Sequence, residues 1–216
     1  KKLLTAILTA AAFAAHAAPA KQPAPAAKKA APVRNVAIPR TAAELARQSE
    51  DNAARLIAKP ATEMLAYYDA DSRVVEQPAA GGYYRMLVGR TADGKAVVQD
   101  FYQDSKAKQI DPVAMRKDAD PTDFDAESTE GRTIWYSPEG KLTHFADHEK
   151  GELVYSVSYV DGKPALEIRK DPRDKSRESQ IIYDEHGQVL MEIEETGKGV
   201  KTVAYRSNGS KLAETF

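Results

Sequence analysis

WYSPEGKL, at residues 135–142, is a short phrase that returns three times in the second half of the chain. The copies are SYVDGKPA at 158–165, IYDEHGQV at 182–189 and AYRSNGSKL at 204–212. Each copy runs from an aromatic residue through a polar turn to a Gly, and then into a new strand-like run. Gly and Asn tolerate the positive φ that tight hairpins need, so turns of this composition join antiparallel strands. The phrase therefore predicts one β-hairpin per copy.

The spacing of the copies predicts a regular β-meander. Their aromatic positions are 23, 24 and 22 residues apart, which leaves room for two strands and two turns in each repeat. In VLMEIEE, at 189–195, Val, Met and Ile alternate with Leu and Glu, which is the period of a strand whose two faces differ. We expect a mainly β fold over residues 81–216. It is an antiparallel β-meander of tandem hairpins, in a single-layer sheet of about ten strands, interrupted by an acidic loop at 106–131.

The recurring aromatic–turn–Gly–Lys phrase resembles that of MORN-type repeats. It is most similar to the variant repeats of bacterial proteins described as antitoxin components of toxin–antitoxin systems, and the similarity covers about residues 82–216. The usual second Gly before the aromatic residue is replaced here, for example by Arg-Thr-Ile at 132–134. The resemblance implies a single-layer β-meander that acts by binding proteins or membranes. It implies no catalytic residues.

The N-terminal part of the chain divides into three segments. Residues 1–17 combine two Lys, an apolar stretch and an Ala-His-Ala site, the pattern of a cleaved secretory signal peptide. Residues 18–40 are rich in Ala, Pro and Lys, and predict a semi-extended linker. Residues 41–68 begin with the capping box Thr-Ala-Ala-Glu and continue with an apolar stripe, so they predict a short helical segment lying on the sheet.

Charge and cysteine content restrict the class of partner. Residues 1–40 carry seven Lys or Arg and no acid, so residues 41–216 hold 24 basic and 32 acidic residues, a net charge of −8. An acidic folded part disfavours nucleic acid as a partner. The chain has no Cys, hence no lipobox Cys and no disulfide framework. We expect a periplasmic or secreted protein with no integral membrane segment after signal cleavage.

No catalytic, metal or cofactor site is predicted. His144 and His148 are capable of binding a metal, but on a strand they lie about 13 Å apart; we interpret them as exposed residues at a turn. The loop 118–127 alternates Asp and Glu and leaves calcium open as an alternative to a solvated acidic loop. No Gly-x-Ser-x-Gly nucleophile motif occurs, and we expect the protein not to be an enzyme.

An aromatic column is the candidate binding site. Rings that recur once per hairpin either pack on one another along the sheet or, where a face is open, receive a partner. Both interpretations stay open. The column consists of Tyr102, Trp135, Tyr136, Tyr159, Tyr183 and Tyr205.

These observations predict an exported, non-catalytic binding protein of the cell envelope. We expect it to hold a protein partner through a face or an edge of its sheet. One alternative is an immunity or antitoxin-like inhibitor of an exported toxin, and another is an adhesive or structural surface component. The sequence identifies neither the partner nor the oligomeric state.

Overall fold

The computed structural model describes residues 57–216 continuously, together with positions 44, 45, 47, 53, 55 and 56. The described residues form one antiparallel sheet of thirteen strands, in which neighbours in sequence are neighbours in space except that β1 lies between β2 and β3. The strands are β1 Lys59–Tyr68, β2 Val74–Val75, β3 Tyr83–Arg90, β4 Ala96–Tyr102, β5 Val113–Met115, β6 Thr129–Tyr136, β7 Leu142–Glu149, β8 Glu152–Val160, β9 Lys163–Asp171, β10 Asp174–Tyr183, β11 Val189–Thr196, β12 Gly199–Tyr205 and β13 Lys211–Thr215. A short 3-10 helix, Ala126–Ser128, precedes β6. The mainly β meander predicted from the sequence is thereby confirmed.

The recurring phrase forms the hairpin turns at one end of the sheet. In the copy at 135–142 the Gly140 amide donates to the Ser137 carbonyl, and the Ser137 amide donates to the Lys141 carbonyl. The same pair of hydrogen bonds closes the turns at 184–188 and 206–210. Gly140 has a φ of 75°, a left-handed conformation that strains residues with a Cβ. The copy at 158–165 instead makes a two-residue turn through Asp161 and Gly162, both with positive φ.

A β-bulge accompanies the tyrosine of each copy. Register shifts fall immediately before Tyr136, Tyr159, Tyr183 and Tyr205, in the β6–β7, β8–β9, β10–β11 and β12–β13 pairs. A bulge bends the strand and increases its twist. The repeat therefore sets the local shape of the sheet as well as its turns.

The predicted helical segment at 41–68 is wrong over its second part. Lys59–Tyr68 is strand β1, paired with β3 from Lys59 opposite Arg90 to Tyr68 opposite Tyr83. Pro60 is the second residue of this strand, a place near its start that tolerates a missing N–H. Long-range pairing with β3 overrides the local helical preference. Apart from the scattered positions above, residues 41–56, the linker at 18–40 and the signal peptide at 1–17 lie outside the described residues.

The predicted acidic loop at 106–131 also contains more structure than expected. It includes β5, which pairs with both β4 and β6, and the first residues of β6. The part after β5, residues 116–128, packs on the sheet: the Phe124 ring lies against the Tyr68 ring at a tilt of 38°, with centroids 4.3 Å apart. Arg85, on β3, donates to the Pro121 carbonyl of this loop at 3.2 Å. An ion pair with Asp100 on β4, at 2.7 Å, holds the Arg85 side chain in place.

The two faces of the sheet carry separate cores. Face 1 is defined by Ile134, Phe145 and Val157, which are opposite one another on β6, β7 and β8. Leu45, from the segment before β1, is fully buried in this cluster. Face 2 is defined by Trp135, His144 and Ser158. Its core lies over β3 to β6, where Ala119 of the 116–128 loop packs on it, and comprises Leu87, Ala96, Val98, Ile110, Val113 and Met115.

Candidate binding surface

The strand register places the predicted aromatic residues on two different faces. Tyr136 and Tyr159 are two residues from Ile134 and Val157, so they lie on face 1, and Tyr183 and Tyr205 follow in the same way on β10 and β12. Trp135 lies on face 2, where it packs against the core, with its ring 5.2 Å from that of His144. Tyr102 is also on face 2, because it is in phase with Val98 on β4. Four of the six predicted rings therefore form a row on face 1, and the other two lie on face 2.

The first two tyrosines of this row are core residues. Tyr136 is buried, and its hydroxyl donates to Asp111 Oδ2 at 2.6 Å, while Lys108 Nζ lies 4.1 Å from its ring centroid. Tyr159 is buried against Phe145, and burial raises its pKa to about 12. These two rings stabilise the fold and are not free to meet a ligand.

The last two tyrosines are hydrogen-bonded to glutamates on the neighbouring strand. The Tyr183 hydroxyl donates to Glu167 Oε2 at 2.7 Å, and the Tyr205 hydroxyl donates to Glu192 Oε2 at 2.8 Å. Burial and the bond to Glu167 raise the pKa of Tyr183, and the bond to Glu192 raises the pKa of Tyr205. Both phenols therefore stay protonated at neutral pH and act as donors whose position is fixed.

The glutamates occupy a repeat position that sequence reasoning missed. Phe145, Glu167, Glu192 and Glu214 follow their respective turn tyrosines by 9, 8, 9 and 9 residues, and they share one row of face 1. The signal is present as Glu alternating with apolar residues in LEIRK and LMEIEE, but alternation alone does not show that these acids lie opposite one another.

Glu167 is the most unusual of them because it is 1 % exposed on a part of the sheet with little cover. Its carboxylate accepts from Arg169 Nε and from Tyr183, and the Arg169 guanidinium lies 5.4 Å from the Tyr155 ring centroid. A buried carboxylate is tolerated when it is paired and hydrogen-bonded. Tyr155, Glu167, Arg169 and Tyr183 thus form a pre-organised polar cluster in the middle of face 1.

The groups considered for metal binding are hydrogen-bonded or buried. His144 Nδ1 lies 3.0 Å from Ser158 Oγ, and His148 is 5 % exposed, so neither is the exposed turn residue that we expected. Asp120 accepts from the Thr122 amide and hydroxyl, bonds that lower its pKa. Over the described residues no group of three or more acidic or His side chains is placed to hold a metal ion.

A cavity of about 540 Å³ lies beside the 116–128 loop. Several of its acids are acceptors of Asx turns that shape the loop, as Asp123 Oδ1 is for the Asp125 amide and Asp125 Oδ1 for the Glu127 amide. The residues that line this cavity are Ser72, Val74, Asp120, Thr122, Asp123, Phe124 and Asp125.

The fold and its surface define a class of protein: a single open antiparallel β-meander whose face 1 presents ordered tyrosines, carboxylates and cations. In the described part of the chain, no helix is long and apolar enough to cross a membrane. No family model matches the chain, and no curated protein matches it either.

Among solved structures, a TarM mutant of S. aureus in complex with fondaparinux, alpha-GlcNAc-glycerol and UDP is similar over part of its length. The sequences are 12 % identical, and the match covers 82 % of this chain and 25 % of that chain, with a TM-score of 0.27. This chain thus spans a quarter of that protein, and at such a TM-score the likeness carries no argument about fold or function.

Proposed function

We propose that the protein is an exported, non-catalytic binding protein of the cell envelope, and that it holds a protein partner on face 1 across β9–β13. One observation carries the proposal. Among the described residues, no core cluster lies over β9–β13, and every side chain of β13 is exposed. A face without cover is available to a partner.

The composition of this part of face 1 suits protein recognition. One row of it, Glu167, Ile181, Glu192, Val203 and Glu214, alternates carboxylates with apolar side chains. The next row carries Arg169, Glu194 and Lys201, on strands about 4.8 Å apart. Tyr and Arg are enriched among residues that dominate binding energy. Hydrogen bonds already fix Tyr183, Tyr205 and Arg169, so binding orders few side chains anew.

The inhibitor role is a second candidate, and the charge of the chain favours it. A net charge of −8 over residues 41–216 would steer an immunity or antitoxin-like protein to a basic toxin. Membership in the MORN-repeat-variant class would agree with this role and stays a prediction. The adhesive or structural role has no such observation in its favour.

Binding to a purified partner tests the proposal. The full chain would first capture proteins from a cell-envelope fraction, and each candidate would then be titrated by calorimetry against wild type and a Tyr183→Ala/Tyr205→Ala variant. We expect Kd to rise at least about tenfold for the variant. The matched control is Tyr84→Ala, which removes a partly buried tyrosine on β3, far along the sheet from β9–β13. The Tyr84 ring stacks on that of Phe101, with centroids 5.1 Å apart.

Circular dichroism would verify that both variants fold. Equal affinity of wild type, variant and control would show that face 1 over β10–β12 is not the binding site. Capture of a basic toxin with loss of its activity would select the inhibitor role.

A further inference from the structure

Face 2 contains a band of uncharged residues that runs across eight strands. Two adjacent rows of the register, from β6 to β13, provide sixteen positions, and none of them is Asp, Glu, Lys or Arg. The first row is Trp135, His144, Ser158, Leu166, Ile182, Met191, Ala204 and Ala213, and the second is Thr133, Ala146, Ser156, Ile168, Gln180, Ile193, Thr202 and Thr215.

The same strands carry many charges on face 1. Of the fifteen positions in its two matching rows, eight are charged: Arg132, Asp147, Glu167, Arg169, Glu192, Glu194, Lys201 and Glu214. Within the single chain Thr133, Ala146 and Ser156 of the band are already buried. Charged residues make up 29 % of the chain, so the other thirteen positions would be expected to carry some charge if they met water. The difference between the two faces indicates that the face 2 band is covered in the working protein.

Charged residues begin directly beyond the band. Lys170 and Glu178 pair at 2.6 Å on β9 and β10, and Glu195 accepts from the Glu178 amide next to them. An uncharged centre bordered by charged side chains is the usual anatomy of a protein–protein interface.

The shape of the band favours a second sheet as its cover. Adjacent strands rotate by roughly 20°, so a straight helix cannot follow a surface that spans eight of them. A sheet with the same twist can stack on it at about 10 Å. The band, eight strands wide and two rows long, has a flat area of roughly 500 Å², and its side chains add further accessible surface. This is of the order of the ~800 Å² that each partner buries in a standard interface.

The order of side chains along the band is self-complementary. A two-fold axis parallel to the strands, between β9 and β10, would place β6 over the partner's β13 and β8 over the partner's β11. In four of the eight facing pairs a large residue then meets a small one, as Trp135 meets the partner's Ala213, His144 meets the partner's Ala204, and Met191 meets the partner's Ser158. Ile193 likewise meets the partner's Ser156. Such large-to-small alternation lets two layers interdigitate. Next to the axis, Leu166 meets the partner's Ile182 and Ile168 meets the partner's Gln180.

We propose that the chain forms a homodimer in which the face 2 bands of two copies, over β6–β13, pack on each other about this axis. The proposal goes beyond the proposed function, because it uses the opposite face of the sheet and a different partner.

Sedimentation of the full chain tests the dimer. We expect wild type to sediment as a dimer, and Met191→Lys, which places a charge in the centre of the band, to raise the dimer Kd at least about a hundredfold. The matched control is Ser179→Lys, on face 1 of the neighbouring strand, which should leave the dimer intact. A chain that is monomeric at all concentrations, or a dimer indifferent to Met191→Lys, would overturn the proposal.

Disulfide trapping tests the axis separately. The chain has no Cys, and positions 135 and 213 are on β6 and β13, seven strands apart within one copy. Mixed under oxidising conditions, the single variants Trp135→Cys and Ala213→Cys should form a mixed disulfide. Replacing the second variant by Glu214→Cys, which points to face 1, should prevent it. Equal trapping at 213 and 214, or trapping at neither, would exclude this packing.

Discussion

Strands β3–β8 and β9–β13 follow one another in the same antiparallel meander, yet they have opposite environments. In the first region Leu45 packs on face 1 over β6–β8, the 116–128 loop packs on face 2 over β3–β6, and Phe145 is fully buried. In the second region the position equivalent to Phe145 is a glutamate in every repeat, and burial decreases until all of β13 is exposed. The comparison teaches that a repeat fixes strands and turns, whereas the segments packed on it decide whether a position is core or surface.

The largest effect is expected where the 116–128 loop is anchored to the first region. Arg85 and Asp100 are each 3 % exposed, so Arg85→Ala would leave a buried carboxylate unpaired and free the loop. We expect a loss of about 3–5 kcal/mol in the free energy of unfolding, measured by urea denaturation. The control is Arg73→Ala, which breaks an exposed pair with Asp71 and should cost about 0–1 kcal/mol. Similar losses in both variants would show that the loop is not held through Arg85.

A comparison within one row of face 1 tests the difference in cover directly. Phe145→Ala should cost about 3–5 kcal/mol, because it opens a cavity beneath Leu45. Ile181→Ala, in the same row but partly exposed on β10, should cost about 1 kcal/mol. Denaturation of the two variants measures both values. Equal costs would mean that face 1 is covered over β10 in solution as well.

A smaller change in the free energy of unfolding is expected when the pH is lowered, and it also arises in the first region. Burial lowers the pKa of His148 despite the nearby carboxylates of Asp147, Glu127 and Asp125. The unfolded chain therefore binds a proton more readily, and stability should fall as pH drops from 7 through about 6.5, the ordinary His value. His148→Gln should flatten this slope in denaturation curves between pH 7 and 5.5. The exposed control His186→Gln should not, and a change in both would assign the slope to other groups.

Much of the fold could be predicted from the sequence because hairpins are local. Turn residues such as Gly140 and Gly187, the 23-residue period and the alternation of side chains all act between near neighbours. Strand β1 could not be predicted in the same way. Its ladder partner, β3, begins beyond residue 80, and the capping box and apolar stripe of residues 41–68 are local signals that favour a helix.

The candidate site was predicted only in part. The tyrosines were found by their spacing, but a one-residue difference in phase places Trp135 on face 2 while its neighbour Tyr136 lies on face 1. The hydrogen bonds from Tyr183 and Tyr205 to glutamates on adjacent strands depend on register, which bulges shift by one residue. Sequence spacing alone does not show such pairs.

The hairpin strands, the turns and the two-residue period of β6–β13 can be predicted from the sequence, because they follow from φ/ψ preferences and from side chains close together in the chain. Which faces are covered depends on tertiary contacts. Leu45 meets Phe145 a hundred residues away, and Phe124 meets Tyr68, through contacts whose free energy depends on surface removed from water and not on sequence distance.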